Sequence, residues 1–131
     1  MESKFLECPE PWIRWNDKCY KTDDLRTTLK ERIEICTSLN SYVLMIDSDE
    51  ENEFIEQQFT GRYWLGAMRD LGTKMFLKLK KGEAVWFTKW RKGEPNNYQG
   101  IENCIVFDHG KWNDLNCYMK SKGICEKSSQ S

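Results

Sequence analysis

Two short stretches of the chain concentrate oxygen donors. Residues Gly93–Cys104 read GEPNNYQGIENC, and Trp112–Asp114 read WND. Together they hold the carboxylates of Glu94, Glu102 and Asp114 and the amides of Asn96 and Asn113. Carboxylate and amide oxygens are what a hard divalent cation takes, and calcium gathers roughly six to eight of them at about 2.3–2.6 Å. The chemistry these residue types suggest is therefore metal coordination, not proton transfer.

Other chemistries find less support. His109 is the single histidine, and its neighbour Gly110 marks a hairpin turn, so neither a Ser-His-Asp nor a Cys-His arrangement can be built. Glu94 and Glu102 form a carboxylate pair, but a bound cation would occupy both. Gly61, Gly66 and Gly72 fit turns and strands, not a phosphate-cradling loop. An enzyme is not expected. The formal net charge of −1 gives no global case for nucleic acid. The bases between Lys74 and Lys92 lie near Phe76, Trp86, Phe87 and Trp90, whose apolar company marks core positions, with Trp90 the candidate exception.

A fold must hold these donors. The chain has 131 residues, the length of one domain, and can bury roughly 68% of its unfolded surface. Six cysteines with no Cys-x-x-Cys spacing argue for disulfides in an oxidising compartment over a zinc site, and six cysteines allow about 15 pairings. Trp12–Lys21, flanked by Cys8 and Cys19, reads as a hairpin. A helix is expected over Thr28–Leu39, with Thr28 and Glu31 as a capping box and Leu29, Ile33 and Cys36 on one face. A second is expected over Asp49–Phe59, with Ser48 and Glu51 as its capping box. The six acids of Asp47–Glu56 then suit the positive end of that helix. After Gly61 the period shortens. YWLGAM, MFLKLK, AVWFTKW, CIVFDHGKWND and GICEK read as strands, with Lys78 and Lys80 facing water and a turn at His109-Gly110. Two helices followed by short strands and one long loop define an α+β domain.

The ordered set CPEPW…KCY, Cys36, WLG (Trp64–Gly66), EPN (Glu94–Asn96), Cys104, WND, Cys117 and GICE resembles the C-type lectin-like domain across Cys8–Glu126. The resemblance implies residues 8–126 as the domain, 1–7 as a flank and 127–131 as a frayed tail. It also implies three disulfides, Cys8–Cys19 (the long form), Cys36–Cys125 and Cys104–Cys117. It implies Glu94, Asn96, Glu102, Asn113 and Asp114 as ligands of the principal Ca2+ site, Asp114 adding its backbone carbonyl, with Pro95 cis. Without metal, three like charges would repel and the loop should loosen. In the family the ion's remaining positions go to two adjacent sugar hydroxyls. Each hydroxyl gives its proton to a carboxylate and accepts from an amide, which makes Glu94 with Asn96, and Glu102 with Asn113, the matching pairs. The Glu-Pro-Asn order implies mannose, N-acetylglucosamine, glucose or fucose. Tyr98 stands where a side chain can touch the sugar ring. Carbohydrate binding is thus assigned to Glu94, Asn96, Tyr98, Glu102, Asn113 and Asp114.

Some positions depart from the pattern. Arg69, Thr73, Asn97 and Asn103 stand where acids of an auxiliary calcium site would be, which argues against a second ion. Leu29 and Arg32 replace a tryptophan and an alanine on the first helix, so that edge is expected to be more exposed or to face a partner. The opening CPEPWIRWNDKCY is similar to natural killer and myeloid receptors, many of which bind proteins without calcium. That similarity sets an alternative, recognition of a cell-surface protein through the Lys74–Lys92 face, beside glycan binding. The same bases could favour anionic glycans. No N-glycosylation sequon and no apolar run long enough to cross a membrane occur. The implied setting is extracellular, as a piece of a cell-surface receptor or a secreted protein, with a homodimer as one open assembly.

Overall fold

A computed structural model describes residues 7–129. Its elements run β1 (Ile13–Trp15), β2 (Lys18–Thr22), α1 (Leu29–Ser38), β3 (Tyr42–Val43), α2 (Asp49–Gln58), β4 (Arg62–Arg69), β5 (Phe76–Lys78), a 3-10 turn (Tyr98–Gly100), β6 (Cys104–Asp108), β7 (Lys111–Leu115) and β8 (Ile124–Ser128). They form an α+β fold with two four-stranded sheets, ordered β1-β2-β8-β3 and β5-β4-β6-β7. All strand pairs are antiparallel. The disulfides are Cys8–Cys19, Cys36–Cys125 and Cys104–Cys117, as the resemblance implies.

Both helices start where local chemistry dictates. At α1 the capping box is complete: Thr28 Oγ1 accepts from Glu31 N–H, and Glu31 accepts from Thr28 N–H at 2.9 Å. At α2 only half of the expected box forms, with Ser48 Oγ accepting from Glu51 N–H. The Glu51 carboxylate is drawn into the core instead. It accepts from Tyr20 Oη at 2.6 Å, Lys18 Nζ at 2.9 Å and Asp47 N–H at 2.9 Å. Lys18 also meets buried Glu126, which accepts from Met45 N–H. This ionic knot joins β2, α2 and β8 and satisfies each buried charge in the way interiors require.

The core gathers around Trp64 and Trp112. Trp112 donates to Asn52 Oδ1 at 2.9 Å, and Asn52 donates to Gly110 O at 2.9 Å, which fixes α2 against the β6–β7 hairpin. Gly66, within the Trp-Leu-Gly motif, donates to Leu44 O, and a Cβ there would lie 2.6 Å from Val43 O. Glycine at this point is a condition for β4 to pass beside β3.

Five expectations need correction. Arg32 is not at an exposed helix edge. It is 1% exposed, forks onto both oxygens of Asp23 at 3.1 Å and donates to Leu25 O. Room for it exists because residue 123 is glycine: a Cβ there would sit 2.3 Å from Arg32 Nε. Lys78 does not face water, since its side chain is 12% exposed and bonded to Asp47 at 2.9 Å. The strand ends at Lys78 in a turn closed by Lys78 N–H to Glu83 O, so the Leu77–Lys80 alternation never develops. The AVWFTKW segment forms no strand; its backbone meets the sheet at the Leu77–Ala84 and Trp90–Trp112 bridges, and Phe87 packs on Trp112. Trp90 packs on Phe76 and Trp112, and the exposed aromatic of this segment is Trp86, at 71%. Finally, Lys127 and Ser128 continue β8 and Ser129 N–H donates to Asp17 O, so the tail is held through that point. Residues 1–6 and 130–131, with most of the flank and the tail's end, lie outside the described residues.

Candidate metal and ligand site

The second sheet carries the donors. Cys104–Cys117 pins β6 and the segment after β7, and in that hairpin Asp114 lies opposite Ile105. Residues 89–91 run along the outer side of β7, with Arg91 N–H donating to Trp112 O and Trp112 N–H to Lys89 O. Glu94 N–H then donates to Arg91 O at 2.9 Å, which starts the polar loop at a fixed point. The Glu94–Pro95 bond is cis.

Asp114 is the loop's anchor. It is buried, and its Oδ1 accepts from Asn96 N–H at 3.1 Å while Oδ2 accepts from Asn97 N–H at 2.7 Å. Asn97 is left-handed, with φ 44°, and its side chain accepts from Glu102 N–H at 3.0 Å. Tyr98 N–H donates to Glu102 Oε1 at 3.0 Å and to Asn96 Oδ1 at 3.2 Å. The loop thus curls back so that Glu94, Glu102 and Asp114 each offer an oxygen within 4.8 Å of the others.

Like charges so close are unfavourable unless something positive joins them. Burial, followed by the Asp114 carboxylate, pushes the Glu94 pKa above the ordinary glutamate value. Burial and Asp114 also raise Glu102, against the pull of Tyr98 N–H. Glu94 Oε1 is buried and has no hydrogen-bond partner. A buried carboxylate oxygen with no donor is costly, and this one adjoins two more carboxylates. The residues present fit a hard cation here, and Glu94, Glu102 and Asp114 are the ones that could hold it.

The remaining sequence-derived candidates are arranged differently. Asn96 sits in the loop, its Oδ1 turned to Tyr98 N–H. Asn113 Oδ1 accepts from Arg91 Nε at 3.2 Å, on the side of β7 away from Asp114. Tyr98 is 61% exposed at the rim. Two arginines matter here that the motif does not contain. Arg91 holds Asn113. Arg69, at the end of β4, donates from Nη2 to Asp114 Oδ2 at 3.1 Å and to Glu102 O at 3.2 Å. The one sequence signal for Arg69 is a base standing where the resemblance expects an acid.

The fold and this loop define a C-type lectin carbohydrate-recognition domain. The Lectin C-type domain family model matches residues 26–127, and the chain belongs to that family. It is 34% identical over 125 residues to human C-type lectin domain family 4 member G, a match that covers 92% of this chain and 43% of that protein. The chain therefore spans less than half the length of that relative. Among solved structures, the mouse scavenger receptor C-type lectin carbohydrate-recognition domain superposes with a TM-score of 0.86 at 28% identity, covering 95% of this chain and 98% of that one. The cow CD23 carbohydrate-recognition domain, solved in the presence of a GlcNAc2Man3 oligosaccharide, superposes with a TM-score of 0.88 at 25% identity, covering 97% and 100%.

Proposed function

We propose that the chain is the carbohydrate-binding part of an extracellular receptor, that its loop binds Ca2+, and that it takes saccharides of the mannose, fucose or N-acetylglucosamine type. The observation that carries this reading is the unpartnered, buried Glu94 Oε1 beside Glu102 and Asp114. A bound calcium ion would supply outward coordination positions for two neighbouring sugar hydroxyls. The chain's own residues do the rest. Glu94 and Glu102 accept the hydroxyl protons, while the amides of Asn96 and Asn113 donate to the hydroxyl oxygens. Tyr98 offers its ring at the rim, and for this role Asn113 would turn from its contact with Arg91 toward the ion. The Glu-Pro-Asn order and the oligosaccharide present with the cow relative support the sugar class.

The rim adds a charge preference. Among the described residues, Arg91 and Lys92 have no carboxylate partner, whereas Lys89 is paired with Asp49 at 2.6 Å. Exposed cations beside the loop favour glycans that carry sulfate or carboxylate groups, and salt weakens that component.

Calorimetry with calcium alone, then with calcium and methyl mannoside, tests the reading. Calcium binding that EDTA abolishes, followed by weak sugar binding that needs the metal, is the expected result. Saccharide binding that is unchanged in EDTA would overturn it. A protein ligand held equally well in EDTA, and lost on Lys92→Glu, would favour the protein-recognition alternative.

A further inference from the structure

Three carboxylates within 4.8 Å should make the loop dependent on a bound cation for its order. Yet the loop is tied at several points by bonds that need no metal. Asp114 takes the N–H groups of Asn96 and Asn97, and Asp114 in turn is gripped by Arg69. The Arg69 side chain is 11% exposed. Its guanidinium lies over the Phe76 ring at 4.3 Å, and Nη1 donates to Lys74 O at 3.4 Å. Nη2 is the junction: it reaches Asp114 Oδ2 and Glu102 O, so a single nitrogen joins the two chain segments that bring Glu102 and Asp114 together. Arg69 N–H also donates to Asn103 O at 2.8 Å, which extends β4 past the start of β6 and fixes the base of the side chain.

We propose that Arg69 is a positioning residue, a tethered internal cation that holds Asp114 and the Glu94–Glu102 loop in their liganding arrangement before any metal arrives. It offsets one of the three negative charges and leaves Glu94 Oε1 as the oxygen still lacking a positive partner. Loop order is then separated from calcium occupancy: the ion adds to a formed site instead of folding one. The inference rests on reading this loop as the binding loop, but it concerns the loop's state without metal.

Amide hydrogen exchange and limited proteolysis in EDTA test it. In the native protein, the amides of Asn96, Asn97 and Glu102 should stay protected without calcium. In Arg69→Gln they should exchange about tenfold faster or more in EDTA, and added calcium should restore much of the protection. Protection of Ile105 and Val106 in β6 serves as the internal standard for a folded sheet. Arg69→Lys keeps a charge but not the planar fork, so it should fall between the two. If Arg69→Gln does not fold, the native protein and Arg69→Lys in EDTA carry the comparison. Loop amides of the native protein that exchange freely in EDTA would overturn the proposal. So would an Arg69 variant with native protection in EDTA. Failure of calcium or sugar binding while loop protection in EDTA persists would sink the proposed function and leave the role of Arg69 standing.

Discussion

Single side chains set how strongly the loop attracts a cation and a proton. Glu94→Gln removes one charge and leaves the geometry, so calcium affinity should fall by at least about tenfold, read by calorimetry. Asn96→Asp converts an amide donor into an acceptor and should lower the preference for mannose-type sugars over galactose, read on a panel of methyl glycosides. Proton competition has a definite sign. The folded pKa values of Glu94 and Glu102 lie above their ordinary values, chiefly through burial and then Asp114. Without calcium, these two groups therefore favour the fold more at low pH, and that contribution is lost as pH rises through the raised values. A bound metal displaces those protons. The calcium-induced rise in Tm should accordingly shrink from about pH 7 to about pH 5, and a constant increment over that range would contradict the assignment of these acids. Arg32 shows what a residue can hide. Its identity predicts an exposed edge, but its partner Asp23 lies before the helix and its space comes from Gly123, at the far end of the chain. Asp23→Ala should cost about 2 kcal/mol in denaturant unfolding, because it strands a buried guanidinium.

At the scale of elements, signals a few residues long were legible and those that depend on distant partners were not. Thr28 with Glu31, and the turn at His109-Gly110, act over a few residues and appear where expected. Ser48 caps α2, but Glu51 leaves its box for Tyr20 and Lys18, both across the core. Nothing near Glu51 in the chain announces that. Breaking this knot from one side should be severe: Lys18→Met leaves Glu51 and Glu126 buried without their cation and should cost about 3 kcal/mol in chemical denaturation. The segment after β5 failed as a strand for a different reason. Val85, Phe87 and Trp90 pack against the core, Trp90 on Phe76 and Trp112, while Trp86 stays exposed, and they are delivered by an irregular chain that only bridges the sheet. Hydrophobic pattern reports burial, and here burial did not require a ladder.

Across the whole molecule, disulfides and sheets divide the work. Cys36–Cys125 spans 89 residues and joins α1 to β8, while Cys104–Cys117 spans 13 residues beside the polar loop. In the chain-entropy picture, the first is worth about 4–5 kcal/mol and the second about 3 kcal/mol. Of the candidate site, Glu94, Glu102 and Asp114 were legible in the sequence and have oxygens within 4.8 Å of one another, whereas Asn113 is held by Arg91 instead. What stayed illegible was their support, Arg69 and Arg91, each bonded to a position many residues away. One feature of the first sheet bears on how the module can be used. Cys8 is bonded to Cys19, Cys19 faces Lys127, and Ser129 ties to Asp17, whereas the polar loop hangs from the other sheet. The first and last described residues therefore meet at one end of the first sheet. Copies strung in tandem through short spacers, or grafted as a cassette into a host protein's turn, should leave every polar loop unobstructed, and avidity from their number would follow from the proposed function.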